Sequence, residues 1–393
     1  MKQPFRARAP AFDADAINTT IQRALASAGL DTTTGPMHEV TETIRRAMAA
    51  GGFADAPPSA DSGSVIDVEA RTVADDDDAD AARGREPPTD KARSGTGSVE
   101  AYRFNNGAGS RAYKVYVPAG PPGAPRAIIV MLHGCTQSAD DFAAGTQMNR
   151  LADEHGLVVV YPEQDAQANN SKCWNWFKPQ DQQRGAGEPS LIAGIAAEVA
   201  QRQGTDPHRV FVAGLSAGAA MAVVLGETYP ELFAGVGAHS GLPYGSARDV
   251  PSALAAMKGG SAGKKGLGAA APPRGKAVQA VPVIVFHGDR DHTVQQSNGA
   301  HIVQQARDAY AAQRGGTGLH VDTQEGVAGG RGFTRTVHAD TDGQARIESW
   351  TVHGAGHAWS GGHASGSFTD AKGPDASAEM VRFFLALPRA GAS

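Results

Sequence analysis

The sequence predicts an α/β fold, a mainly parallel sheet with helices on both faces. Apolar runs alternate with helix-period segments from residue 99 onward, the order that strand–crossover–strand units require. One run, Ala127-Ile128-Ile129-Val130-Met131-Leu132, is apolar at every position, as a strand buried on both faces must be. A second run, 210–213, leads through Gly214-Leu215-Ser216-Ala217-Gly218 into a helix-like stretch ending at Tyr229, a strand–turn–helix sequence.

Residues 1–50 predict a helical N-terminal extension. Ile17, Ile21 and Leu25 recur at helical spacing behind a candidate cap at Asp13, and Val40, Ile44 and Met48 repeat the pattern. Residues 51–98 predict a disordered acidic linker, rich in Ala, Gly and Pro and carrying Asp75-Asp76-Asp77-Asp78. Such a segment buries too little apolar surface to offset its ordering entropy. Residues 99–388 form the expected catalytic domain. Strands are predicted at 99–104 and 112–117 around Asn105-Asn106-Gly107, then at 127–132, 157–161, 210–213, 235–238, 281–286 and 347–352. Helices are predicted near 140–155, 190–203, 217–229, 295–313 and 375–387, with a mobile Gly/Ala/Lys/Pro excursion over 255–280.

Composition narrows the function classes. With 393 residues and 41% hydrophobic content, the chain can bury a sizeable core. A net charge of −5 leaves no basic footprint for nucleic acid. No apolar run reaches the ~18 residues of a membrane span. Basic residues near the start are followed by Asp13 and Asp15 rather than an apolar core, so no secretory leader is expected. The 13 histidines show no metal-ligand spacing.

The chemistry centres on Ser216. Glycines two before and two after it let a tight turn close without a Cβ clash. With 49 glycines in the chain, a bare match means little, and a second one, Gly259-Gly260-Ser261-Ala262-Gly263, lacks a preceding strand and is read as a loop. A serine hydroxyl needs a base, and the base an orienting carboxylate. After the strand at 281–286, His287-Gly288-Asp289-Arg290-Asp291 offers two acids. Asp291 is favoured because it lies further round the loop, and Asp289 is read as a turn residue. After the last strand, His357 is favoured as base over His353 and His363, because small residues flank it on a loop. The oxyanion donors are expected to be the backbone N–H groups of Ala217 and Cys135, with Thr136 second to Cys135. Cys135 and Cys173 are consistent either with one disulfide or with two buried thiols. Trp174, Trp176 and Trp359 fall near the proposed site and are read either as core or as walls of an apolar substrate groove, Trp359 being the leading candidate for the groove.

Four segments together carry a resemblance: Leu132-His133-Gly134-Cys135-Thr136-Gln137, Cys173-Trp174-Asn175-Trp176-Phe177, Gly214-Leu215-Ser216-Ala217-Gly218 and Gly356-His357-Ala358-Trp359-Ser360-Gly361-Gly362. In this order they resemble the poly(3-hydroxybutyrate) depolymerase family of esterases over residues 100–388. The resemblance implies an α/β-hydrolase fold and a serine carboxylesterase acting on polyester or short ester bonds. It also implies Ser216, Asp291 and His357 as triad, a Cys135–Cys173 disulfide and no cofactor. Relatives of that family include feruloyl and acetylxylan esterases. Family members that attack external polymer are usually exported and often add a substrate-binding module. Neither a leader nor such a module is legible here, so soluble oligomers and small esters stand beside solid polymer as expected substrates, and a cytoplasmic location beside an extracellular one.

Overall fold

The computed structural model describes residues 97–119, 127–259, 280–313 and 318–388, all within the second of the two units into which the chain divides, Thr89–Ser393. The expectations for residues 1–50, for nearly all of 51–98, and for Ser261 lie outside the described residues.

Six strands make the parallel centre of a ten-stranded sheet: β3 (Ile128–Leu132), β4 (Val158–Pro162), β5 (Val210–Leu215), β6 (Gly235–His239), β7 (Val283–Gly288) and β10 (Ala345–Val352). The spatial order is β1-β2-β4-β3-β5-β6-β7-β10-β9-β8. One edge is closed by the antiparallel hairpin β1 (Ser98–Asn106) and β2 (Gly109–Val117), the other by β8 (His320–Ala328) and β9 (Arg331–Ala339). Every residue of β3 through β7 is buried, as their continuous apolar runs require.

Alternation along these strands feeds two cores. Ile128, Val130, Val212, Val236 and Val285 face one side, where α3 (Gly187–Gln203), α4 (Ala217–Thr228) and α6 (Ser297–Gln313) pack. Ile129, Met131, Phe211, Ala213 and Phe286 face the other, against α1 (Ala139–Thr146), α2 (Met148–His155) and α7 (Ala376–Ala386). The α/β-hydrolase expectation, with helices on both faces, holds.

Three local expectations need correction. The helix expected over 140–155 is two helices, broken at Gln147, whose φ is 54°. The break frees the Gly145 carbonyl to accept the His363 amide at 2.8 Å, and it allows Gly366 to lie against Gly145, where a Cβ on Gly366 would come within 2.4 Å of the Gly145 nitrogen. The excursion expected over 255–280 is contradicted at its start, where α5 (Val250–Met257) continues to Met257; residues 260–279 lie outside the described residues. Asp249 caps that helix in a reciprocal box with Ser252, and Pro251 opens its first turn. The β8–β9 ribbon was not anticipated. β8 is largely exposed and β9 only half-buried, and polar residues interrupt both, so neither strand carries an apolar run. The turn signal was present in Gly329-Gly330, whose φ values of 61° and 98° suit the mirror-image hairpin turns. The ribbon is fastened to the sheet by buried Glu348 of β10, which accepts from Arg335 at 3.0 and 2.9 Å.

Candidate active site

The proposed groups come from the ends of neighbouring strands. β5, β6, β7 and β10 run parallel, so the segments that follow them all emerge at one edge of the sheet. Ser216 follows β5, Asp291 follows β7, and His357 follows β10.

Ser216 has φ 57° and ψ −117°, a conformation that a residue with a Cβ rarely adopts. The turn is that sharp because its flanks are glycine. A Cβ on Gly218 would lie 2.1 Å from the Leu132 carbonyl oxygen and 2.6 Å from that of His133, and one on Gly214 would lie 2.5 Å from Gly218. The same close approach brings the loop after β3, which carries Cys135, against the start of α4.

Asp291 and His357 are joined directly, Nδ1 to Oδ2 at 2.7 Å. The Asp291 side chain is fully buried, and its other oxygen accepts the Thr293 and Val294 amides at 2.9 and 2.8 Å. Burial pushes this carboxyl up, but the hydrogen bond and charge of His357, aided by the Val294 amide and by His287, outweigh it. The group is held below the usual carboxylate range. With Nδ1–H donating to Asp291, His357 presents Nε2 as the basic nitrogen. Asp289 forms a second, more exposed pair with the competing histidine. Its carboxylate meets His353 Nδ1 at 3.1 Å and accepts the Gly354 amide at 2.7 Å. His363 is exposed and its ring faces Ser365 Oγ at 2.8 Å.

Hydrogen bonding distinguishes the two amides expected as oxyanion donors, Cys135 and Thr136. The Thr136 amide donates to Ser171 O at 2.7 Å and the Gly134 amide to Gln137 Oε1 at 2.9 Å. Among the described residues no acceptor takes the Cys135 amide. The Ala217 amide opens α4, where the first N–H groups have no acceptor within the helix.

Cys135 and Cys173 form a disulfide, Cα–Cα 4.2 Å, which fastens the loop after β3 to the segment 171–177. With a sequence separation of 38, chain entropy gives this cross-link about 4 kcal/mol. Cys173→Ala is expected to lower Tm by roughly 5–10 °C and to reduce kcat, because the Cys135 amide loses its support. Calorimetry and thiol titration of the native protein check this; two titratable thiols and an unchanged Tm in the variant would contradict it.

The three tryptophans are corrected from groove walls to core. Trp174 and Trp359 are about 0–1% exposed and Trp176 is 6% exposed. Their indoles act on the framework: Trp174 Nε1 donates to the His133 carbonyl at 3.0 Å, and Trp359 Nε1 to Ser377 Oγ at 3.0 Å. Buried Glu188 holds the turn between Trp174 and Trp176, accepting the Asn175 amide at 2.7 Å and its side-chain nitrogen at 2.8 Å. Sequence position placed these rings near the site, but only packing decides which way an indole points.

Three buried histidines were not recognised as part of the framework: His133 after β3, His239 ending β6 and His287 in β7. Each follows or ends an apolar strand, which is the one signal the sequence offered. Burial pushes the imidazoles of His133 and His287 down, and that of His239 down to about 3, with His287 and His357 adding to the shift. An unfolded imidazole takes up its proton near pH 6.5, so below that pH the unfolded chain binds protons that the folded protein does not. The stabilisation is therefore complete above about pH 6.5 and is lost as pH falls toward 3. At pH 5 the loss for His239 alone is about 2 kcal/mol. Urea unfolding at pH 7.5 and 5.0 is expected to show this loss, and His239→Phe to make the pH dependence shallower by about that amount. An identical pH dependence in the variant would refute it.

A serine at a strained strand–helix turn, with an Asp–His pair at the same edge of a parallel sheet, places the fold in the α/β-hydrolase class. The family model described as esterase PHB depolymerase matches residues 111–322, more than half of the chain, and the chain belongs to that family. It is 34% identical over 257 residues to poly(3-hydroxyalkanoate) depolymerase C of Paucimonas lemoignei, covering 62% of this chain and 57% of that protein. It is 31% identical over 262 residues to poly(3-hydroxybutyrate) depolymerase of Ralstonia pickettii, covering 63% and 51%. The chain thus spans little more than half the length of these curated relatives. Among solved structures, acetyl xylan esterase from Aspergillus awamori shares the fold, with a TM-score of 0.56 at 19% identity over 74% of this chain and all of that one. No helix among the described residues is long and apolar enough to cross a membrane.

Proposed function

We propose that the chain is a serine carboxylesterase that hydrolyses the ester bonds of poly(3-hydroxybutyrate) or its oligomers, with residues 99–388 as the catalytic unit. The observation that carries the chemistry is the 2.7 Å bond from His357 to buried Asp291 at the sheet edge where Ser216 is held in its strained turn. His357 Nε2 takes the Ser216 proton as Oγ attacks the ester carbonyl carbon. The Ala217 and Cys135 amides hold the negative oxygen of the tetrahedral intermediate. As the ester C–O bond breaks, His357 returns the proton to the leaving alcohol and leaves an acyl-Ser216. A water molecule, deprotonated by the same imidazole, attacks the acyl carbon, releases the hydroxy acid and restores Ser216. No step calls for a cofactor.

The substrate class is supported by family membership and by the similarity to the two depolymerases named above. Product analysis on poly(3-hydroxybutyrate) film, soluble 3-hydroxybutyrate oligomers, feruloyl esters and acetylated xylan, run in parallel, tests it. The expected result is release of 3-hydroxybutyrate or its short oligomers from film or soluble oligomers at a higher kcat/KM than any aryl or acetyl ester shows. Faster release of ferulate or acetate would transfer the assignment to a plant-wall esterase. Failure to react with a fluorophosphonate probe would instead point to a silent hydrolase fold acting as a binding protein.

A further inference from the structure

His239 lies where the nucleophile's segment and the base's segment meet. It ends β6, next to the end of β5, and its main-chain carbonyl accepts the Ser216 amide at 2.9 Å. Its ring reaches the other way. Nε2 accepts the amide of Ser360, three residues beyond His357, at 3.0 Å, while Nδ1 faces Ser240 Oγ at 3.3 Å. An amide N–H only donates, so Nε2 is the bare nitrogen and Nδ1 carries the hydrogen. The ring is stacked between Trp359, at 5.1 Å, and Phe286, at 5.8 Å.

The other main-chain ties of this stretch lead elsewhere. The Trp359 amide donates to Phe368 O and the Gly361 amide to Asp370 O, both on β12 (Thr369–Asp370) or its approach. The Gly354 amide and the Ala355 carbonyl are held by Asp289 and by the Arg290 amide, on the acid's loop. Among the hydrogen bonds of the described residues, the one from Ser360 to His239 joins the stretch beyond His357 to the residue that also holds the nucleophile's amide. A neutral imidazole suits the place. It offers an acceptor deep in the core without setting a second negative charge beside Asp291.

We infer that His239 is a positioning residue for this site: by accepting the Ser360 amide it keeps the loop of His357 in register with Ser216. It is 1% exposed and does not touch substrate, so it acts through the alignment of base and nucleophile. The inference rests on the Ser216–His357 assignment proposed above.

Two substitutions separate the acceptor from the ring. His239→Phe keeps an aromatic ring for the stack and removes the acceptor. His239→Gln places an amide oxygen within reach of Ser360 and removes the stack. Turnover of p-nitrophenyl butyrate and the rate of fluorophosphonate labelling are measured for both, with Ser216→Ala as reference. His239→Phe is expected to lose about 10²-fold in kcat and in labelling rate, the scale of a misplacement near 1 Å, with KM little changed. His239→Gln is expected to keep most of kcat while melting at a lower temperature. Native turnover in the Phe variant, or a loss in the Gln variant as large as in Phe, would make His239 a packing residue and overturn the inference. Should either variant fail to fold, 15N-histidine spectra of the native protein decide the matter. A neutral Nδ1–H tautomer is expected for His239 from pH 5 to 8, and an Nε2–H tautomer, unable to accept from Ser360, would overturn it. If Ser216→Ala retains turnover, the triad reading itself fails. If Ser216→Ala is inactive and His239→Phe is not, only the role of His239 falls.

Discussion

Ser216→Ala is expected to lower kcat on a soluble ester by about 10⁶-fold, the scale on which a catalytic serine is lost when its partners remain. That is about 8 kcal/mol of transition-state stabilisation. The variant should fold as the native protein does. The Ser216 side chain makes no capping hydrogen bond to α4, and alanine meets the same backbone restriction at φ 57°. Ser216→Gly should be equally inactive yet more stable, by about 1 kcal/mol, because glycine adopts this conformation without a Cβ penalty. Kinetics on p-nitrophenyl butyrate and thermal melts test both statements. Ser261→Ala, in the motif copy that no strand precedes, should leave turnover intact. Loss of activity there instead of at Ser216 would move the nucleophile.

Asp291→Asn should cost about 10⁴-fold in kcat, the loss seen when a triad carboxylate is neutralised without removing its shape. The asparagine can still touch His357, but it no longer stabilises the imidazolium and it can donate to Nδ1, which favours the wrong tautomer. Asp289→Asn should change kcat by less than about tenfold, since Asp289 meets His353 and the Gly354 amide and not His357. The two carboxylates stand two positions apart and each bonds a different histidine, so kinetics on this pair of variants discriminates sharply. Equal losses would leave the acid unassigned, and the reverse order would give the role to Asp289.

Much of the site was legible because its chemistry is local in sequence. The glycines at 214 and 218 are needed within one turn, where their missing Cβ atoms admit the Leu132 and Gly218 backbone. Asp291 and His357 each follow an apolar run, and loops after parallel strands emerge at one edge whatever their distance in sequence. The choice of Asp291 over Asp289 rests on loop position alone in the sequence; full burial and the 2.7 Å bond to His357 are tertiary features that the proposed role draws on. What sets Thr136 apart from Cys135 is in no local pattern: its amide donates to Ser171, 35 residues away.

The sequence by itself determined the layered fold and the chain order of serine, acid and histidine. Periodicity and turn chemistry are properties of neighbouring residues, and strands buried on both faces leave short apolar runs bounded by turn residues. Tertiary structure alone decided the rest. It split the helix at Gln147 to admit the loop around Gly366, and it added the β8–β9 ribbon by pairing β9 along β10, with Glu348 meeting Arg335 across the pair. It turned Trp174, Trp176 and Trp359 inward, and it set His239 between Ser216 and Ser360. Each of these depends on which surfaces meet across the fold. A residue's own neighbours in sequence fix its backbone preference and its chemistry, but its partners in a packed core come from segments far along the chain, and they appear only once the sheet has assembled.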